Sequence, residues 1–241
     1  MNNYEDYILP ELRDWQKKMQ RKPTFTNRMA RTLQQKANRL IPEKVHNVIT
    51  GAVKHTIKAV LTGAEFISSK PLANASLEAR EYRVQDRINV YKNTSAAEGA
   101  ITGAGGILLG LADFPIWLTL KMKLLFDIAG LYGHDVSDYK ERLYILFVFQ
   151  LAFSAGEYRR DIYAKVADWD NYSKTLPSFD EFDWRSFQQE YRDYIDLAKM
   201  LQLIPGIGAV VGFYVNHKLT EKLGKTAMNA YRLRWLSEQA K

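Results

Sequence analysis

The sequence predicts an all-α protein, a multi-helix bundle of about ten helices with two glycine-rich apolar helices packed closely. Three observations point there. Apolar residues recur at spacings of three and four, helix-start signals punctuate the chain, and no segment alternates apolar and polar residues long enough to make a strand. The 241 residues suit a single domain, 1–241, in which basic N-terminal helices (1–40) precede a helical core (41–241).

Taken in order, helices are expected near 4–20 and 26–40; the second ends before Pro42, which opens a third, 43–68, at its first turn. That helix puts Val45, Val48, Ile49, Ala52, Val53, Ile57, Val60 and Leu61 on one face. Helix 76–93 is mostly polar, with a narrow stripe of Leu77, Tyr82 or Val84, Ile88 and Tyr91. Ser95-Ala-Ala-Glu98 reads as a capping box opening 96–111, and Asp113 as the N-cap of 114–132, with Pro115 in the first turn. Gly133 reads as the left-handed stop of that helix. Asp138-Tyr-Lys-Glu141 caps 138–155, followed by 157–168; Ser178-Phe-Asp-Glu181 caps 180–203, followed by 206–220 and 222–238.

Charge is segregated along the chain. Residues 1–60 hold twelve Lys/Arg against five Asp/Glu, residues 218–241 six against two, and the middle sixteen against twenty, which sums to the overall +7. The apolar stretches lie in that middle: 99–120 with one charge, Asp113, then 143–156 and 200–217 with no formal charge. A bilayer-spanning helix needs about 20 apolar residues, which the first stretch meets, the third approaches and the second does not. Pro115 and Pro205 interrupt the two longer ones.

Gly99, Gly103, Gly106 and Gly110 recur at intervals of four, three and four; Gly206, Gly208 and Gly212 repeat the theme. Small residues so spaced let helix backbones approach closely. Two readings stand side by side: a tight crossing inside a water-soluble bundle, or contact with or insertion into a membrane. Asp113 and Asn216 are the lone polar side chains attached to these segments.

Several segments together resemble the EcsC family of bacterial proteins. They are Ile41-Pro-Glu-Lys-Val-His46, Thr94-Ser-Ala-Ala-Glu-Gly-Ala-Ile-Thr-Gly-Ala-Gly-Gly106, Leu111-Ala-Asp-Phe-Pro115, Ile128-Ala-Gly-Leu-Tyr-Gly-His-Asp135, Ile204-Pro-Gly-Ile-Gly-Ala-Val-Val-Gly212, Asn216 and Ala230-Tyr-Arg-Leu-Arg-Trp235. The resemblance spans most of the chain. It implies an accessory protein, cytoplasmic or associated with the cell membrane, encoded beside the ATPase and membrane subunits of an ABC transporter. It implies no chemistry.

The residues themselves offer little chemistry either. The absence of cysteine excludes a disulfide framework and a cysteine nucleophile. Glu43 and His46 share a helix face, but a di-metal bundle needs that pair twice, so no metal is expected. No metalloprotease, nucleophile-elbow or phosphate-loop pattern occurs, and no cofactor is expected. His134 follows the Gly133 turn and is placed near the surface at a helix C-terminus.

Lys17, Lys18, Arg21, Lys22, Arg28 and Arg31 form a cationic series with no nucleic-acid-binding signature beside it. Anionic lipid attracts such a series at about 1 kcal/mol per basic residue, which makes a membrane surface the expected partner. The reading is a non-catalytic, membrane-associated accessory of an ABC transporter or secretion system, acting by protein or lipid binding. The alternative is a soluble all-α hydrolase with a polar pocket near Asp113 and His134.

Overall fold

The computed structural model describes residues 3–22, 51, 54–60, 71–104, 106–154, 156–177 and 208–239, with the backbone path alone over 98–114 and 208–212. Among the described residues there are helices and their connections and no strand. The elements used below are α1 (Asn3–Gln20), α2 (Leu77–Ala104), α3 (Gly106–Tyr132), α4 (Tyr139–Phe153), α5 (Gly156–Ala167), α6 (Trp169–Thr175) and α7 (Gly208–Gln239). Residues 54–60 add helical backbone within the expected 43–68. The expected helices 26–40 and 180–203 lie outside the described residues, as do most of 43–68 and the cap at Ser178.

Helix α1 buries Ile8, Leu12 and Trp15, spaced by four and three, against the bundle. Trp15 meets Tyr163 of α5 edge to face, with centroids 5.6 Å apart. Pro10 sits inside α1 without ending it. It lies on the exposed face, where water can satisfy the carbonyl that lost its amide partner.

Helix α2 starts where expected, with the Ser76 hydroxyl accepting from the Ala79 amide at 3.3 Å. It then runs 28 residues straight through the expected break at Ser95. Thr94 donates back to the Val90 carbonyl at 3.1 Å, and Ser95 turns inward to accept from Lys121 Nζ at 2.9 Å. Both hydroxyls are thus satisfied inside a continuous helix, so neither acts as a cap.

Helix α3 is likewise continuous through Asp113 and Pro115. Asp113 is therefore a mid-helix residue and not an N-cap. Helices α2 and α3 also divide the first glycine series: Gly99 and Gly103 lie on α2, Gly106 and Gly110 on α3. The four do not form one stripe on one helix. Of the second series, Gly208 and Gly212 lie in α7, while Gly206 is outside the described residues.

Gly133 ends α3 as expected, at φ +97°. The His134 amide bonds the Ala129 carbonyl and the Gly133 amide the Gly130 carbonyl, each at 3.0 Å, the two bonds of a Schellman motif. A Cβ here would lie 2.8 Å from Arg80 Nη1. Gly133→Ala is expected to lower stability by about 2 kcal/mol from backbone strain and this contact, read as a drop in urea midpoint.

Helix α4 is buried almost all round, from Leu143 to Phe153. The charge-free stretch 143–156 is therefore largely the central helix of the bundle, apolar on every side because it is surrounded. Asp138 caps it, accepting from the Lys140 amide. The short α6 was not expected from sequence. Its corner residue Asp168 accepts from the Tyr172 amide through its carbonyl and from Asn171 Nδ2 at 2.8 Å through its side chain.

Helix α7 replaces the two expected C-terminal helices with a single one of 32 residues, about 48 Å long. Thr220 and Thr226 donate to the Asn216 and Lys222 carbonyls one turn back, so the polar residues near the expected break are absorbed. This spine packs on α1, α2, α3, α4 and α5. Its close approach to α2 is at Gly224, where a Cβ would meet Ile88 at 2.6 Å. Sequence spacing did not single out that glycine.

Candidate functional site

Two buried ionic clusters organise the end of the bundle where α2 begins and α3 and α7 finish. In the first, Glu81 of α2 is 1% exposed and Arg232 of α7 3%. Arg232 donates through Nε and Nη2 to the two carboxylate oxygens, both at 2.7 Å, a bidentate pair. The Tyr4 hydroxyl donates to Oε2 at 2.8 Å and the Tyr132 hydroxyl to Oε1 at 3.1 Å. Four donors occupy the lone-pair positions of this one carboxylate. Burial and the adjoining Glu81 carboxylate push the hydroxyls of Tyr4 and Tyr132 up. The remaining Arg232 nitrogen meets Asn229 Oδ1 at 3.1 Å and Glu11 at 3.2 Å.

In the second cluster, Glu141 of α4 accepts from Arg234 Nη1 and from the Tyr231 hydroxyl, each at 2.6 Å. The Arg234 guanidinium lies over Tyr144, 4.6 Å from the ring centroid. Tyr231 stacks on Tyr132, joining the two clusters. His134 packs on Tyr231 at 5.1 Å with its side chain 15% exposed. Burial, reinforced by Arg234 and Arg80, pushes its imidazole down to about 3. His134 directly follows the C-terminus of α3, as expected, but its ring is largely covered, and burial with two guanidinium groups outweighs the helix end.

A groove of about 350 Å³ between α1, α2 and α7 runs over the first cluster, lined by Tyr4, Glu11, Glu78, Glu81, Tyr82 and Arg232 among others. Its ionic floor is saturated by the bonds just given. No group of three or more metal-ligating side chains occurs among the described residues. Glu43 and His46 lie outside them. Asp113 and Tyr132 are nineteen residues apart on one helix, about 28 Å, so Asp113 and His134 do not share a pocket.

The other expected site residues fall at the opposite end. Lys17, Lys18, Arg21 and Lys22 are exposed at and just beyond the C-terminus of α1; Arg28 and Arg31 lie outside the described residues. Asn216 is fully buried and its Oδ1 accepts from Trp117 Nε1 at 2.5 Å, pinning α7 to α3. Its role is to join two helices.

Sequence reasoning missed Glu81, Glu141, Arg232 and Arg234 as a unit. A signal was present in the segments that carry the family resemblance, since Tyr132-Gly-His134 and Tyr231-Arg-Leu-Arg-Trp235 meet in these clusters.

The chain matches the model of the EcsC protein family over residues 6–236. It is 42% identical over 234 residues to Protein EcsC of Bacillus subtilis (strain 168), covering 97% of each chain. It is also 31% identical over 255 residues to the protein YdbA of the same organism, covering 97% of this chain and 93% of that one. No solved structure matches.

Proposed function

The chain belongs to the EcsC protein family, and from that premise we propose that it acts as a non-catalytic accessory protein of an ABC transporter or secretion system. It is held peripherally on the cytoplasmic face of the membrane. The supporting observation is the basic end of α1. There Lys17, Lys18, Arg21 and Lys22 are exposed on a helix that Ile8, Leu12 and Trp15 anchor to the bundle. Arg159 of α5 fixes that end by donating to the Met19 and Arg21 carbonyls, at 3.2 and 3.3 Å. The positive charge is thus presented on a rigid mount, and anionic headgroups are its natural counter-charge.

Attachment by a spanning helix is not part of this reading. Among the described residues no helix is long and apolar enough to cross a membrane. The ionic clusters favour binding over catalysis, because their carboxylates are occupied by arginine and tyrosine donors.

Co-sedimentation with phosphatidylcholine vesicles containing about one third phosphatidylglycerol tests the proposal. Binding is expected at low salt and is expected to fall steeply towards about 0.5 M salt as the charges are screened. Lys17→Gln/Lys18→Gln is expected to weaken binding by about 30-fold, which corresponds to about 1 kcal/mol per basic residue removed. Failure to sediment at low salt, or sedimentation indifferent to both salt and substitution, would sink the reading.

A further inference from the structure

We propose that the groove between α1, α2 and α7 is a docking site for a basic segment of a protein partner, and that it takes an arginine or lysine side chain among Glu11, Glu78 and Tyr82. The inference rests on the accessory role proposed above and names the chemistry by which the chain would hold a membrane-embedded partner.

The chain carries +7 overall, yet this groove is acidic. Its lining sets Glu11, Glu78 and Glu81 against Lys225 and Arg232. The bidentate pair of Glu81 with Arg232 is neutral and closed. Lys225 is bridged at 3.2 Å to Glu221, which lies outside the lining. Glu11 touches Arg232 at 3.2 Å but keeps its side chain 63% exposed. Glu78 is exposed and has no ion pair among the described residues. Two carboxylates therefore remain at the groove, over a floor whose charges are already paired.

The rest of the lining suits the stem of a long basic side chain. Glu78, Tyr82 and Gln85 follow at spacings of four and three along α2, and Lys225, Met228 and Arg232 at three and four along α7. Seven residues of helix make the groove about 10 Å long, the reach of about three residues of extended chain. Tyr82 is 79% exposed, while Tyr4 is held by its hydroxyl on Glu81. A guanidinium or ammonium gains from an aromatic face, and its methylenes cover apolar surface such as Met228. Gln85 donates to Asn89 at 3.3 Å, which leaves its own carbonyl oxygen as an acceptor.

A membrane protein offers the matching charge. Its cytoplasmic loops carry an excess of Lys and Arg close to the ends of the spans. The groove and the proposed lipid contact share one helix: Glu11 is seven residues from Lys18 on α1 and Tyr4 fourteen, about 10 and 21 Å. A segment leaving the bilayer covers that distance in about three to seven extended residues. The carboxylates of the groove repel anionic headgroups, so the two surfaces take different ligands: lipid at Lys17 and Lys18, basic chain at Glu11 and Glu78.

The probe is a fluorescein-labelled hexapeptide of alternating Arg and Ser, blocked at both ends. Its fluorescence anisotropy is expected to rise on titration with the protein at low salt, and the rise to fade towards about 0.5 M salt. The same peptide with Gln in place of Arg is expected not to bind. Glu78→Gln/Tyr82→Ser is expected to weaken peptide binding about tenfold, through one ion pair and one cation–ring contact. Both side chains are exposed, so the melting temperature is expected to stay unchanged. That variant is expected to sediment with the anionic vesicles as the wild type does. Lys17→Gln/Lys18→Gln is expected to do the reverse, losing vesicles and keeping the peptide. Absence of peptide binding, or binding that Glu78→Gln/Tyr82→Ser leaves unchanged, overturns the groove whatever the vesicles show. Peptide binding by a protein that fails to sediment supports the groove and overturns its assignment to a membrane partner.

Discussion

Glu81→Ala is expected to cost the fold about 3–5 kcal/mol, seen as a large fall in urea midpoint or melting temperature. The reason is the state of what remains. Arg232 is 3% exposed and would lose its two 2.7 Å bonds, while the hydroxyls of Tyr4 and Tyr132 would lose their acceptor. A buried guanidinium without its carboxylate is far more costly than an absent pair. Typical domains hold about 5–15 kcal/mol in all, so the variant would be close to unfolding at physiological temperature.

A double-mutant cycle separates this from a simple cavity. Glu81→Leu and Arg232→Met are each expected to be severe, and the double variant milder than their sum by about 2 kcal/mol or more, since no charge is left stranded. Strict additivity, or a loss below about 1 kcal/mol for Glu81→Ala, would show that the pair contributes little. The first cluster also reaches the proposed membrane contact. Tyr4 ties the start of α1 to Glu81, and Trp235 Nε1 donates to Glu5 at 3.3 Å. Loosening these contacts releases the helix whose other end carries Lys17 and Lys18.

What was legible in the sequence was local. Asp138 and Gly133 act at helix ends through bonds spanning at most five residues, and the sequence places each at its observed end. Ser95 and Asp113 looked equally like helix starts and are not. The Ser95 hydroxyl has a partner on another helix, Lys121, that a linear motif does not reveal. Charge arithmetic misled in a similar way. The +4 over 218–241 includes Arg232 and Arg234, which face Glu81 and Glu141 across 151 and 93 residues. Composition counts charges without knowing which are buried in pairs. The apolar stretch 143–156 is too short to span a bilayer, and the fold encloses most of it as a core helix. Exposure was hidden too: the exposed Ile116 lies beside the buried Trp117, whose bond to Asn216 of α7 no linear motif reveals.

His134→Asn is expected to remove a specific part of the acid sensitivity of the fold. In the folded protein burial, Arg234 and Arg80 hold the imidazole down to about 3, against an ordinary value of 6.5. Above about pH 6.5 the ring is neutral folded and unfolded, and contributes nothing to pH dependence. As pH falls below that, the unfolded chain takes up a proton that the folded ring refuses, so stability falls by about 1.4 kcal/mol per pH unit towards pH 3. At pH 4.5 the accumulated loss is about 2–3 kcal/mol. Among the described residues, the charged groups facing the ring come from three helices: Arg80 on α2, Glu141 on α4 at 3.9 Å, and Arg234 on α7. Only Glu141 favours the imidazolium, and its oxygens are already engaged by Arg234 and Tyr231. Stability curves of the wild type and His134→Asn are therefore expected to run parallel above pH 7 and converge by about 2–3 kcal/mol between pH 6.5 and 4.5. Curves that stay parallel to pH 4.5 would mean the ring is protonated within the fold, and that the two guanidinium groups do not govern it.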